Sequence, residues 1–192
     1  MSDCAREHRL QDTDFTYDKQ LVRRAGDGDE EASRELVERH QDRVYRLSYR
    51  LTGDVEAARD ITQDTFLRLL QNLRRIEDGQ ALTRWLTRTA TNLTRDRWRT
   101  RRDTVEFDDS FEEGSRSSSS HLVEDAQLGE RIQRALMELP HRYREAFVLR
   151  HVEDLSHEQM CDQLGIGLSA VKVRIHRACH MLRELLPEYE EE

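Results

Sequence analysis

The chain has 192 residues, 36% hydrophobic and 36% charged, with 8 glycines, 2 prolines and a formal net charge of −8. That balance suits one or two small modules of polar helices and disfavours a turn-rich sheet protein. No run of about twenty apolar residues occurs, and the N-terminus MSDCAREHRLQDTD lacks an apolar signal core, so membrane insertion is not expected and a cytoplasmic protein is. Cys4, Cys161 and Cys179 cannot all pair within one chain and lack metal-finger spacing, which points to reduced thiols and no metal.

In chain order, residues 1–17 read as an N-terminal extension. Leu36, Val37, His40, Val44, Leu47, Ser48 and Leu51 then recur at helical spacing, Gly53 ends that helix, and Asp54 is placed to cap the next. The following helix carries Ala58, Ile61, Thr65, Leu69 and Leu73 inward and Asp60, Gln63 and Asp64 outward. Asp60 and Asp64 stand four apart on one face, a like-charge pair costing a few tenths of a kcal/mol that calls for a cationic partner. From Arg84 to Arg102 the only acid is Asp96, set against Arg84, Arg88, Arg95, Arg97, Arg99, Arg101 and Arg102, with Trp85 and Trp98 interleaved. Arginine and aromatic faces together suit an unpaired nucleic-acid strand better than a closed duplex. Trp85 shares an inward face with Leu82, Thr89 and Leu93 and reads as core.

Residues 103–125 are acidic and end in the serine run Ser117 to Ser120, a composition that reads as a flexible linker. Beyond it, Leu128, Ile132, Ala135, Leu136 and Leu139 predict a helix stopped by Pro140, and Tyr143, Ala146, Phe147 and Leu149 another. The segment Leu155 to Leu182 spells two short helices around a glycine turn. Ser156 and Gln159 have capping-box spacing, Gly165 stops the first helix, and Val171, Ile175, Ala178 and Leu182 face inward on the second. That leaves Ser169, Lys172, Val173, His176 and Arg177 on or near the outer face, where a helix can enter a major groove. The competing reading of this segment is an ordinary helical hairpin with a solvated basic face. Glu188 to Glu192 form an acidic tail. The expected fold is therefore all-α: two small helical domains joined by a flexible acidic linker, the C-terminal one a helix-turn-helix.

Three blocks in this order, DITQDTFLRLL at Asp60 to Leu70, RWLTRTATNLTRDRWRTRR at Arg84 to Arg102, and Glu138 to Ala178, resemble an extracytoplasmic-function sigma factor of bacterial RNA polymerase, in the sigma-70 family. The likeness implies that residues 18–102 are sigma region 2 and residues 126–187 sigma region 4. By resemblance, Asp60, Gln63 and Asp64 would dock on a basic coiled coil of core RNA polymerase. Arg88, Asn92, Arg95, Arg97, Trp98, Arg99 and Arg101 would engage the non-template strand of the −10 element, with Asn92 near the pocket for a flipped base. Ser169, Lys172, Val173, Arg174, His176 and Arg177 would read the duplex −35 element, Arg177 foremost. The linker, roughly 23 residues reaching at most about 75 Å, would tether the two units and thread the RNA exit path. The resemblance further implies an anti-sigma factor as partner, no cofactor and no covalent chemistry. The alternative function is a free-standing regulator that uses the helix-turn-helix alone. A metal sensor built on His157 with Cys161, or Cys179 with His180, would have at most two ligands on one helix.

Overall fold

The computed structural model describes the backbone of residues 4–104 and 124–187 and the side chains of 15–100 and 128–187. Among the described residues there are α-helices and one 3₁₀ turn, and no strand. α1 spans Cys4–Gly26 and α2 Glu30–Thr52. The Asp29 carboxylate accepts from the backbone N–H groups of Glu31 and Ala32, and Gly53 stops α2 in the left-handed region at φ 69°. Asp54 caps α3, Val55–Asn72, by accepting from the Ala57 N–H at 2.8 Å. A 3₁₀ turn over Leu73–Arg75 leads into α4, Gly79–Thr104. A side chain at residue 79 would lie 2.4 Å from the Phe15 carbonyl oxygen, so glycine lets the start of α4 lie directly on α1.

These helices bury the stripe expected of them. Leu36, His40, Val44, Leu47, Ser48 and Leu51 of α2 and Ala58, Ile61, Thr65 and Leu69 of α3 are all buried, whereas Val37 is half-buried and Leu73, also buried, belongs to the 3₁₀ turn. On α4 the buried stripe is Leu82, Leu86, Ala90 and Leu93, with Trp85 half-buried against the same core. Buried hydroxyls bond back into their own helix: Thr91 Oγ1 donates to the Thr87 carbonyl at 2.7 Å and Thr94 Oγ1 to Ala90 at 2.9 Å. α1 joins through Leu21, Val22 and Ala25, and through buried Asp18, which meets Arg39 Nε at 3.1 Å and His40 Nε2 at 3.1 Å. The expected 17/18 boundary thus falls inside a continuous helix.

The second unit comprises α5 (Glu124–Glu138), α6 (His141–His151), α7 (His157–Leu164) and α8 (Leu168–Leu185). Of the expected linker, residues 105–123 lie outside the described residues, as do 188–192, while Thr104 and Glu124 are already helical. Ile132, expected inward, is 37% exposed. α6 shows no single apolar stripe because it is enclosed on most sides: Tyr143, Arg144, Glu145, Ala146, Val148 and Leu149 are all buried. Its outer neighbours are α7 and α8, which share a small core of Ala146, Leu149, Leu155, Met160 and Val171. On its other side Leu136, Leu139, Tyr143, Val148 and Leu182 join the core of α1 to α4 in one continuous cluster. Two units in contact were not expected from a sequence read as tethered modules.

Arg144 is the pin of that contact. Its guanidinium donates to the carbonyls of Leu136 and Met137 at 2.8 Å each, Leu139 at 3.0 Å, and Leu51 at 2.8 Å across the junction. It thereby satisfies the exposed carbonyl ends of both α2 and α5 and sets a cation at two helix C-termini. Burial lowers its pKa to about 10, so it stays charged at neutral pH. At Gly53 the fit is as close, since a Cβ there would lie 2.3 Å from Met137 Sδ.

Arg144→Leu removes a donor from all four carbonyls, of which Leu136 keeps the Leu139 N–H at 3.2 Å, and should destabilise the fold by about 3–5 kcal/mol, read as a fall in the urea midpoint; an unchanged midpoint would remove Arg144 from this role. His141 sits beside Trp98 with its Nε2 unpartnered, and burial, reinforced by Arg144, Arg95 and Arg174, depresses its pKa to about 4. The unfolded chain binds this proton near pH 6.5 and the folded one does not, so stability falls as pH drops from about 6.5 to about 4, by at most ~3 kcal/mol. The stability of His141→Phe relative to the parent chain should therefore rise between pH 7 and pH 4.5 in paired urea titrations, and an equal offset at both pH values would contradict this assignment.

Candidate nucleic-acid interface

Three surfaces carry the residues singled out from the sequence. On α3, Asp60, Gln63 and Asp64 are exposed, as the helical register requires. Next to them stand Leu67 and Leu70, 50% and 43% exposed, which the sequence reading missed because it followed only the inward stripe and the charges. Asp60 is not free: its Oδ2 lies 3.1 Å from Arg97 Nη1, an exposed ion pair that joins the acidic face to α4.

The basic residues of α4 do not share one surface. Arg88, Asn92 and Arg99 are exposed at spacings that keep them on one side of the helix, and Arg99 pairs with Asp96 at 3.1 Å. Arg97 turns instead toward α3. Arg95 and Trp98 point into the junction with the second unit. Arg95 Nε donates to Glu145 Oε1 at 2.6 Å, and its Nη1 to the Gln163 carbonyl at 3.3 Å. The Trp98 ring lies 5.0 Å from the His141 ring, with the Arg144 guanidinium 5.5 Å above it. In this conformation both are half-buried and turned toward the second unit. Burial raises the pKa of Glu145, with Arg95 acting against it. The side chain of Arg101 lies outside the described ones.

The helix-turn-helix has the local chemistry expected of it. Ser156 Oγ accepts from the Gln159 N–H at 3.2 Å while Gln159 Oε1 accepts from the Ser156 N–H at 2.7 Å, a complete capping box. Gly165 at φ 66° ends α7. Gly167 precedes α8 and provides no side-chain cap. On α8, Ser169, Lys172, Val173 and His176 are exposed, Val173 by 50%, and Arg174 is half-buried. Arg177 is exposed but tethered: its Nη1 donates to the Tyr143 hydroxyl at 2.9 Å, which lowers the Tyr143 pKa. Sequence spacing places Arg177 on the outer face, but it cannot show that a tyrosine on α6 reaches it.

Among the described residues no group of three histidine, cysteine, aspartate or glutamate side chains is placed to hold a metal ion. The nearest thiol contact is Cys179 Sγ to His151 Nε2 at 3.6 Å, and burial raises the Cys179 pKa. No helix among the described residues is long and apolar enough to cross a membrane.

Comparison with known proteins matches residues 36–104 to sigma-70 region 2 and residues 129–190 to sigma-70 region 4. The chain is 38% identical over 162 residues to the ECF RNA polymerase sigma factor SigE of Mycolicibacterium smegmatis, covering 82% of this chain and 63% of that relative. It is 34% identical over 179 residues to the ECF RNA polymerase sigma factor SigW of Bacillus subtilis, covering 88% and 96% respectively. Among solved structures, CnrH in complex with the cytosolic domain of CnrY superposes with a TM-score of 0.63 at 26% identity, over 90% of this chain and 99% of that one. The fold is also that of the sigma factor RpoE of Bartonella quintana, solved with the anti-sigma factor NepR, with a TM-score of 0.62 at 22% identity over 82% and 98%. With both regions matched in order and relatives of this similarity, the chain belongs to the sigma-70 family, among its extracytoplasmic-function RNA polymerase sigma factors.

Proposed function

We propose that the chain directs promoter-specific initiation by binding core RNA polymerase through α3, holding the melted −10 element on α4 and reading the −35 duplex with α8. The observation that carries this is the sequence of three distinct surfaces on one chain. An acidic face with two exposed leucines suits a basic protein partner; the side of α4 that exposes Arg88, Asn92 and Arg99 suits a single strand; a capped helix-turn-helix with an open second helix suits a major groove. In this division residues 18–102 and 126–187 are the working units, 103–125 the tether, and 1–17 and 188–192 the extension and tail.

On α3, Asp60, Gln63 and Asp64 would make charge-assisted hydrogen bonds to arginines of the polymerase. On α4, Arg88, Arg97, Arg99 and Arg101 neutralise backbone phosphates, Asn92 hydrogen-bonds a base edge, and Arg95 and Trp98 complete the strand site once they are uncovered. Unstacking a base costs a few kcal/mol, which these contacts must offset. On α8, Lys172, Arg174, His176 and Arg177 meet the groove and its phosphates, Ser169 the backbone, and Val173 is placed to touch a thymine methyl. None of this requires a cofactor or makes or breaks a covalent bond. The family's customary control by an anti-sigma factor, together with the capture of CnrH with the cytosolic domain of CnrY, supports a masking protein partner. A cytoplasmic site of action follows from the polymerase as partner.

Run-off transcription with purified core polymerase on a promoter library tests this. The intact chain should yield transcripts sharing a two-element promoter, and Asp60→Arg with Asp64→Arg should lower them at least about a hundredfold, the loss of two or more charge-assisted contacts. Transcription undiminished in the double variant would exclude the α3 face as the docking surface, and duplex binding without any transcription would exclude the sigma role.

A further inference from the structure

The outer face of α8 carries a cation that is held from behind. Arg177 is exposed, and its Nη1 donates to the Tyr143 hydroxyl on α6 at 2.9 Å. The Tyr143 ring belongs to the core that also holds Leu136, Leu139, Ala178 and Leu182, and only 7% of the residue is exposed. A buried ring with two side-chain torsions therefore fixes a hydroxyl at the foot of an exposed helix face. The Arg142 guanidinium lies over the same ring, 4.8 Å from its centroid, which adds to the attraction holding the ring in place. Beside the bond is an open cleft of about 420 Å³ lined by Tyr143, His176, Arg177, His180 and Met181.

An arginine on a helix surface samples many rotamers, and any contact it makes must first overcome that freedom. A guanidinium has five N–H donors, so using one on Tyr143 leaves four, enough for the two parallel bonds that guanine O6 and N7 accept. The cleft is where an untethered side chain could instead fold away from a groove. Bracing alone would make the bond redundant, because α6 and α8 are already joined by Ala146, Leu149 and Val171 on one side and by Tyr143, Ala178 and Leu182 on the other.

We infer that Tyr143 is a positioning residue for duplex readout, its hydroxyl setting the exposed Arg177 guanidinium in the conformation that meets a base pair in the major groove. The inference rests on the reading of Arg177 as a base contact. Tyr143 itself touches no DNA. Because its hydroxyl acts only through Arg177, losing it shows at a single base-pair position, whereas losing a phosphate contact weakens all sequences alike.

The test compares the full chain with Tyr143→Phe, which removes one oxygen and keeps the buried ring, with Arg177→Ala, and with the two combined. Each is mixed with a duplex DNA library randomised over its central positions, and the bound duplexes are sequenced, so that base preference is read position by position. Arg177→Ala should lower the preference at one position by about tenfold or more, as for a lost bidentate contact. Tyr143→Phe should lower it at that same position by about threefold or more, one hydrogen bond's worth expressed as a ratio, while the other positions keep theirs. In the Arg177→Ala chain, adding Tyr143→Phe should change nothing further. An unaltered preference in Tyr143→Phe overturns the inference. So does an even loss at all positions, or the same loss in the Arg177→Ala background, since a merely structural bond or an effect through Arg142 persists when Arg177 is gone. Preferences that Arg177→Ala leaves intact sink the base-contact reading itself, as does a parent chain that selects no sequence.

Discussion

A buried guanidinium without a carboxylate partner governs this architecture. Arg144 is fully desolvated, a state that is expensive for a cation, and the cost is offset only because carbonyl oxygens from the ends of two helices converge on it. Most of those oxygens lie at helix ends, where the regular ladder of N–H donors runs out, so each side relieves the other. Because Leu51 belongs to the first unit and Leu136, Met137 and Leu139 to the second, the arrangement exists only when the units touch. The depth of Tyr143 and Val148, the close approach at Gly53 and the enclosure of His141 go with it.

The junction has two chemically different halves, and that division matters for function. Around α5 and α2 aliphatic side chains are joined by bonds to backbone carbonyls, from Gln133 Nε2 to Tyr49 at 3.0 Å and from Arg144 Nη1 to Leu51 at 2.8 Å. Along α4 it is polar, with Glu145, Glu153 and Gln163 opposed to Arg95, Arg43, Thr87 and Thr91. The net charge of −8, which taken alone argues against a DNA-binding protein, is in part the charge of groups that hold the protein's own cations.

Much of this was legible in the sequence because it is local. The capping box of Ser156 and Gln159, the stops at Gly53 and Gly165, and the inward stripes of α2, α3 and α8 depend on neighbours within one or two turns, and spacing reveals them. The exposed triad Asp60, Gln63 and Asp64 was likewise legible from the helical period. What spacing could not show is which polar residues meet across the chain. Arg95 and Glu145 are 50 positions apart, and Arg43 and Glu153 110. The one clue was α6, where Arg144 and Glu145 stand side by side in a helix with apolar residues on several faces, a pattern that signals enclosure rather than a solvated edge. α1 was missed for a related reason: its apolar set is short, Leu21, Val22 and Ala25, and its anchor is Asp18, a polar residue buried against Arg39 and His40.

The continuous core has a mechanical consequence. Leu136, Leu139 and Leu182 pack into the same cluster as Leu36, Leu47 and Leu51, so cohesion between the units in this conformation comes from side chains and not from the peptide that joins them. A protease cut between Thr104 and Glu124 should therefore yield two fragments that still migrate as one particle, held by Leu136, Leu139 and Leu182 against Leu36, Leu47 and Leu51.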